Sequence, residues 1–106
     1  MIETKIYVGL NDSETLEQKY EVDRYLNILK EVFRIYHVPF SYTTAQGGYV
    51  HEDGRFTEET AIVISMIDAK PETVSEIAKD LCVFFHQESV LITEGPVRSY
   101  YVNEHL

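Results

Sequence analysis

Residues 3–10 alternate in character, with Ile6, Val8 and Leu10 standing against Lys5, Tyr7 and Gly9. A period of two is that of a half-buried strand. Asn11-Asp12-Ser13-Glu14-Thr15 follows, a run of turn and cap formers. Thr15 with Gln18 three residues on fits a capping box, which satisfies orphan N–H groups at a helix start. The expected helix runs from about Leu16 to Tyr36. Val22, Tyr25, Leu26, Leu29, Val32, Phe33 and Tyr36 recur along it at helical spacing and make one apolar face. Glu17 and Glu21 lie early and Arg34 and His37 late, which complements the helix dipole, and Pro39 closes the segment.

A long hairpin is expected next. Phe40, Tyr42 and Thr44 alternate with Ser41 and Thr43, and most are good strand formers. Gly47-Gly48 interrupts the pattern and predicts a bulge or a close backbone approach. Asp53-Gly54 is a favoured type I′ pair. A two-residue turn there sets Glu52 opposite Arg55, His51 opposite Phe56, Glu58 opposite Tyr49 and Glu59 opposite Gly48, with a bulge moving the last pairing by one. The return strand runs from Phe56 to about Ile67, and its end, Ala61-Ile62-Val63-Ile64-Ser65-Met66-Ile67, is apolar almost throughout, as in a central strand. Pro71 at a first helical position starts a second helix, whose inward face is Val74, Ile77, Ala78, Leu81, Phe84 and Phe85. A last strand from about Ser89 to Val102 bends at Gly95-Pro96.

The order strand, helix, strand, strand, helix, strand is the α+β, ferredoxin-like βαββαβ arrangement. It predicts a four-stranded antiparallel sheet with two helices on one face and a long hairpin between the second and third strands. Residues 1–106 read as a single domain, since about 100–200 residues is the usual size. One sheet face is left without helices. Tyr7, Tyr42, Tyr49, Tyr100 and Tyr101 fall on expected strands, and an aromatic open face predicts a homo-oligomer.

Charge narrows the partners. Lys plus Arg number 9 and Asp plus Glu 18, a net charge of −9. An acidic chain without clustered Lys and Arg is not expected to bind nucleic acid directly, nor an anionic membrane surface. With 44% hydrophobic and 25% charged residues the chain is expected to fold. One cysteine excludes an internal disulfide and a cysteine-only zinc site. No secretory signal and no membrane span are read, so the expected location is cytoplasmic.

Four stretches carry a resemblance: Lys5-Ile6-Tyr7-Val8-Gly9-Leu10; Ala45-Gln46-Gly47-Gly48-Tyr49; Asp53-Gly54-Arg55 followed by Glu59; and Gln87-Glu88-Ser89-Val90 followed by Pro96-Val97. In that order they resemble a small bacterial and prophage domain family of unknown function. Tyr49 stands where the family usually has Trp, and Thr60-Ala61 where it has Pro-Ser. The resemblance implies a ferredoxin-like fold and no activity.

No motif names a ligand. Gln46-Gly47-Gly48 lacks the Lys and the helix N-terminus of a phosphate cradle. His51 with Glu52, Glu58 and Glu59 is too sparse for a metal site, and no cofactor is expected. Cys82 with His86 reads as core packing rather than a thiolate pair. The reading from sequence is a non-enzymatic binding module. Its expected partners are its own copies and a small molecule or a protein, and an acidic prophage-type inhibitor or sequestering protein is one form of this. The alternative is a small dimeric ferredoxin-like enzyme with a cavity between helices and sheet. Candidate binding residues are Gln46, Gly47, Gly48, Tyr49, His51, Arg55 and Glu59, where local rules are broken and the resemblance is densest. Arg55 and Glu59 as a cross-strand support of the hairpin is the structural alternative.

Overall fold

A computed structural model describes residues 1–50 and 53–105, and of Tyr49 the backbone alone. Its elements are β1 (Ile2–Gly9), α1 (Val22–Tyr36), β2 (Ser41–Val50), β3 (Phe56–Ile67), α2 (Pro71–Phe84) and β4 (Leu91–Pro96). The strands form one antiparallel sheet in the order β2-β3-β1-β4, the ferredoxin-like arrangement. The alternation in β1 does what it predicts: Ile6 and Val8 are fully buried, while Lys5 and Tyr7 between them face the helix-free side. Ile62, Ile64 and Met66 of β3 join them under Leu29, Val32 and Phe33 of α1 and Val74, Ile77 and Leu81 of α2. Each fully buried aliphatic side chain of this set contributes about 1.5–3 kcal/mol.

The first helix starts later than the capping box implies. Residues 11–21 form a hydrogen-bonded loop instead, because Asp12 takes the Thr15 N–H that the box would give to the Gln18 side chain, and Thr15 Oγ1 accepts from Glu17 N–H. Asp12 Oδ1 accepts from Glu14 N–H (2.9 Å) and Thr15 N–H (3.1 Å), and Leu16 N–H donates to Asp12 O. Leu16 then takes φ +61°, which no helix accommodates. Gln18 donates to Tyr20 O rather than reaching back to Thr15. The second helix begins at Pro71 as read. Of its expected inward face, Phe85 is buried but Phe84 is half-exposed, in a groove with Ile28, Val32 and Ile35 of α1.

The hairpin differs in two respects. Gly47 and Gly48 cause no bulge: β2 and β3 pair without a break from Ser41↔Ser65 to Val50↔Phe56. The register is one residue from that of a two-residue turn, with Glu58 opposite Gly48 and Glu59 opposite Gly47. β2 ends at Val50 and β3 begins at Phe56, and the expected places of His51 and Glu52 lie outside the described residues. Close approach explains Gly48, since a Cβ there would sit 2.5 Å from Cζ of Phe56. The last strand is shorter than read. It stops at Pro96, and Val97 N–H to Met1 O is the last rung.

The open face is less aromatic than expected. Tyr7 lies on it, whereas Tyr42 pairs with Ile64 and so shares the helix side, beside Phe40, which stacks on Phe33. Tyr100 and Tyr101 follow the last strand.

Candidate functional site

Three segments meet where β1 ends. Leu10 N–H donates to Thr60 O (3.0 Å), so the chain leaves β1 still tied to β3. Asn11 then donates its backbone N–H to Glu59 Oε2 (3.2 Å) and its side-chain Nδ2 to Glu58 O (3.4 Å). From the other side, Gln87 Nε2 donates to Asn11 O (2.6 Å) and Phe85 O (3.3 Å), and Ser13 N–H donates to His86 O (2.9 Å). His86 turns the chain at φ +53° to bring Gln87 there. The result is an open cleft of about 350 Å³ lined by Asn11, Asp12, Ser13, Leu16, Glu59, Gln87, Glu88 and Ser89.

The lining groups have different work. Asp12 is spent on its own loop: Oδ2 lies 3.1 Å from Lys19 Nζ while Oδ1 accepts the two N–H groups. Those N–H groups first, and Lys19 after them, hold its carboxyl down at about 2. Gln87 is a brace. Glu59 is placed by a missing side chain, because a Cβ on Gly9 would stand 2.6 Å from both its carboxylate oxygens. With glycine there, the carboxylate lies against β1 and keeps lone pairs for a ligand. Glu88 and Ser89 complete the rim. Among the described lining residues there is no Lys or Arg, so the cleft favours positive or neutral ligands with hydroxyl and amino donors. Leu16 is its apolar wall, held in a left-handed conformation that costs a non-glycine residue about 1–2 kcal/mol.

The residues singled out from sequence do not gather in one place. Glu59 is in the cleft. Gln46, Gly47 and Gly48 lie further along the hairpin, around a shallow hollow of about 280 Å³ with Phe56 and Glu58, and Gln46 Nε2 donates to Thr60 Oγ1 (2.9 Å). Arg55 is at the tip. Its Nε lies 3.5 Å from Asp53 Oδ2 and its N–H donates to Asp53 Oδ1 (2.9 Å), so its ion pair is with Asp53 and not Glu59. Tyr49 is described by its backbone alone, opposite Thr57, and His51 lies outside the described residues. Sequence reasoning missed Asn11, Asp12, Leu16 and Glu88 as cleft residues. Gln87-Glu88-Ser89 was visible as a motif, but nothing in the chain order places it beside Glu59.

Among the described residues no group of three or more His, Cys, Asp and Glu side chains could hold a metal ion. No described helix is long and apolar enough to cross a membrane.

No family model and no curated protein matches this sequence. Solved structures do. A phage SAM lyase in complex with S-methyl-5′-thioadenosine superposes with a TM-score of 0.68 at 22% identity, covering 89% of this chain and 79% of that one. The periplasmic divalent cation tolerance protein CutA from Archaeoglobus fulgidus gives 0.61 at 11% identity, over 93% and 87%. The B. subtilis GlnK–ATP complex gives 0.50 at 13%, over 90% and 84%. At these identities the likeness is one of fold. The shared fold thus occurs both in a protein that holds ATP and in a lyase.

Proposed function

We propose that the cleft at the end of β1 binds S-adenosylmethionine and that the protein cleaves it as a lyase, releasing S-methyl-5′-thioadenosine. The observation that carries this reading is the placement of Glu59 against Gly9 and Asn11, in a cleft shared with Glu88 and with no Lys or Arg among its described lining residues. S-Adenosylmethionine offers what such a cleft recognises: two ribose hydroxyls, an ammonium and a sulfonium charge. The likeness in fold to the phage SAM lyase supports the choice of ligand. A nucleoside triphosphate suits the cleft badly. Each carboxylate about 4 Å from a phosphate charge costs ~1 kcal/mol at bulk-water dielectric and ~4 at that of a protein surface.

The chemistry also limits where the carboxylates act. Cleavage sends the electron pair of the carbon–sulfur bond to sulfur and abolishes its positive charge. A carboxylate directly on the sulfur would stabilise substrate more than transition state and slow the step. Glu59 and Glu88 therefore belong on the hydroxyl and ammonium donors, where they hold the chain in a reactive geometry. In a lyase the carbon regains its electrons from within the same molecule, either from its own carboxylate, which closes a lactone as the carbon–sulfur bond breaks, or from a neighbouring C–H bond, which becomes a double bond and gives its proton to water, so no second substrate is required. This activity fits a cytoplasmic protein, and we further propose that it works as a homo-oligomer.

The test is calorimetry with S-methyl-5′-thioadenosine, S-adenosylmethionine and ATP, with chromatography of S-adenosylmethionine incubations. Binding of the first two, no binding of ATP, and thioether release that Glu59→Gln suppresses are expected. Binding without turnover would return the reading to a non-enzymatic module that sequesters the ligand. Failure to bind either adenosyl compound would remove the proposal altogether.

A further inference from the structure

The segment after β4 is out of keeping with its surroundings. The last strand is expected to reach Val102, yet pairing stops at Val97. Tyr100, Tyr101 and Val102 are left 69%, 93% and 76% exposed. The tail starts from the β4 side but crosses the end of the sheet, and Tyr101 lines one hollow with Met1, Ser41, Ser65 and Ile67. It therefore leaves the domain near the first residue of β2.

β2 itself is an edge strand of 10 residues with β3 as its neighbour. Soluble proteins blunt such edges with charges, proline or bulges. Ser41–Val50 has none of these. Residues 35–51 are moreover the longest stretch of the chain without Asp, Glu, Lys or Arg. Two copies each carrying −9 repel one another, so any seam between them runs where charge is absent.

We infer that the C-terminal segment around Tyr100-Tyr101-Val102 of a second copy adds as a strand to the free edge of β2. This rests on the homo-oligomer proposed above and specifies its seam. It accounts for three observations together: an expected strand with no partner, exposed apolar residues, and an unprotected edge. The contact is head-to-tail, so it closes into a ring when the rotation between copies allows. Main-chain hydrogen bonds supply affinity, and the two tyrosines and the valine supply buried area.

Light scattering at micromolar concentration is expected to give the full chain a mass that is a multiple of 12.3 kDa. Tyr101→Pro removes a ladder N–H and is expected to yield monomer with a cooperative thermal transition. A chain ending at Val97 is expected to do the same. Amide exchange in β2 is expected to slow in the full chain relative to both variants. A monomeric full chain would overturn the inference and the oligomer together. An oligomer that survives both Tyr101→Pro and the truncation would overturn the strand addition alone, and would place the seam elsewhere.

Discussion

β2 and β3 lead two lives. From Ser41 to Ala45 and from Ala61 to Ile67 they belong to a four-stranded sheet, and Ile62, Ile64 and Met66 are buried under the helices. From Gln46 to Val50 and from Phe56 to Thr60 they continue past Gly9, where β1 ends, as a two-stranded arm with Val50 and Phe56 exposed. One ladder thus runs through two environments. In the first, side-chain identity is dictated by packing; in the second, polar and small residues are free to serve other ends. The cleft lies at the boundary, where Glu59 still reaches β1 with its side chain but is paired only with β2. A two-stranded hairpin is at best marginally stable on its own, so the arm's order is borrowed from the sheet that feeds it.

The largest effects should fall on the packed half. Leu29→Ala and Leu81→Ala remove side chains that are fully buried on the two helices, and each should cost about 2–5 kcal/mol in urea denaturation. Equal midpoints for mutant and wild type would mean that the two regions do not differ as described.

Next come changes at the boundary. Glu59→Gln weakens hydrogen bonds that a charged acceptor makes at about 1.5–3 kcal/mol, so affinity for S-methyl-5′-thioadenosine should fall by about ten- to a hundredfold with little change in melting temperature. Gly9→Ala should act on the same carboxylate from beneath. Its Cβ would displace the Glu59 head group, the far end of a flexible side chain, so binding should suffer more than folding. Calorimetry beside a thermal melt separates the two.

The loop over the cleft should respond to acid. The Asp12 carboxyl is lowered from 3.8 to about 2 by the Glu14 and Thr15 N–H groups and by Lys19. A lowered folded-state value stabilises the protein above the unfolded value, near pH 4, and that stabilisation is lost as pH falls through about 2. Thermal midpoints measured from pH 5 to pH 2 should therefore fall less steeply in Asp12→Asn than in the parent, from a lower starting point.

The smallest effect should be at the tip of the arm. Arg55→Ala breaks an exposed contact with Asp53 and should change stability by no more than about 0.5 kcal/mol, leaving ligand affinity unchanged. A loss of affinity there would move the site along the arm and erase the division drawn between arm and cleft.

The order of elements was legible because burial imposes a period. Val22 to Tyr36, Val74 to Leu81, and the alternation around Ile6 and Val8 can each satisfy one geometry, and they adopt it. The ends of elements were less legible. Thr15 and Gln18 satisfy a capping rule, yet Asp12 captures the Thr15 N–H first, and a rule about pairs cannot foresee a third competitor. Gly47-Gly48 breaks a strand propensity without breaking the strand, because Phe56 folds over Gly48 and the ladder continues.

Sequence alone determined the ferredoxin-like order, the inward face of the first helix and that of the second apart from Phe84, the acidic balance and the oddness of the glycines and Glu59, since each depends on neighbours within a few residues. The tertiary structure alone decided the register of the hairpin and the membership of the cleft. Asn11, Glu59 and Gln87 lie far apart in the chain, and what unites them is that β1 ends where β3 continues. Gly9 shows the reason most plainly. In the sequence it is one more position in an alternating strand; in the fold its missing Cβ is the space that the Glu59 carboxylate occupies.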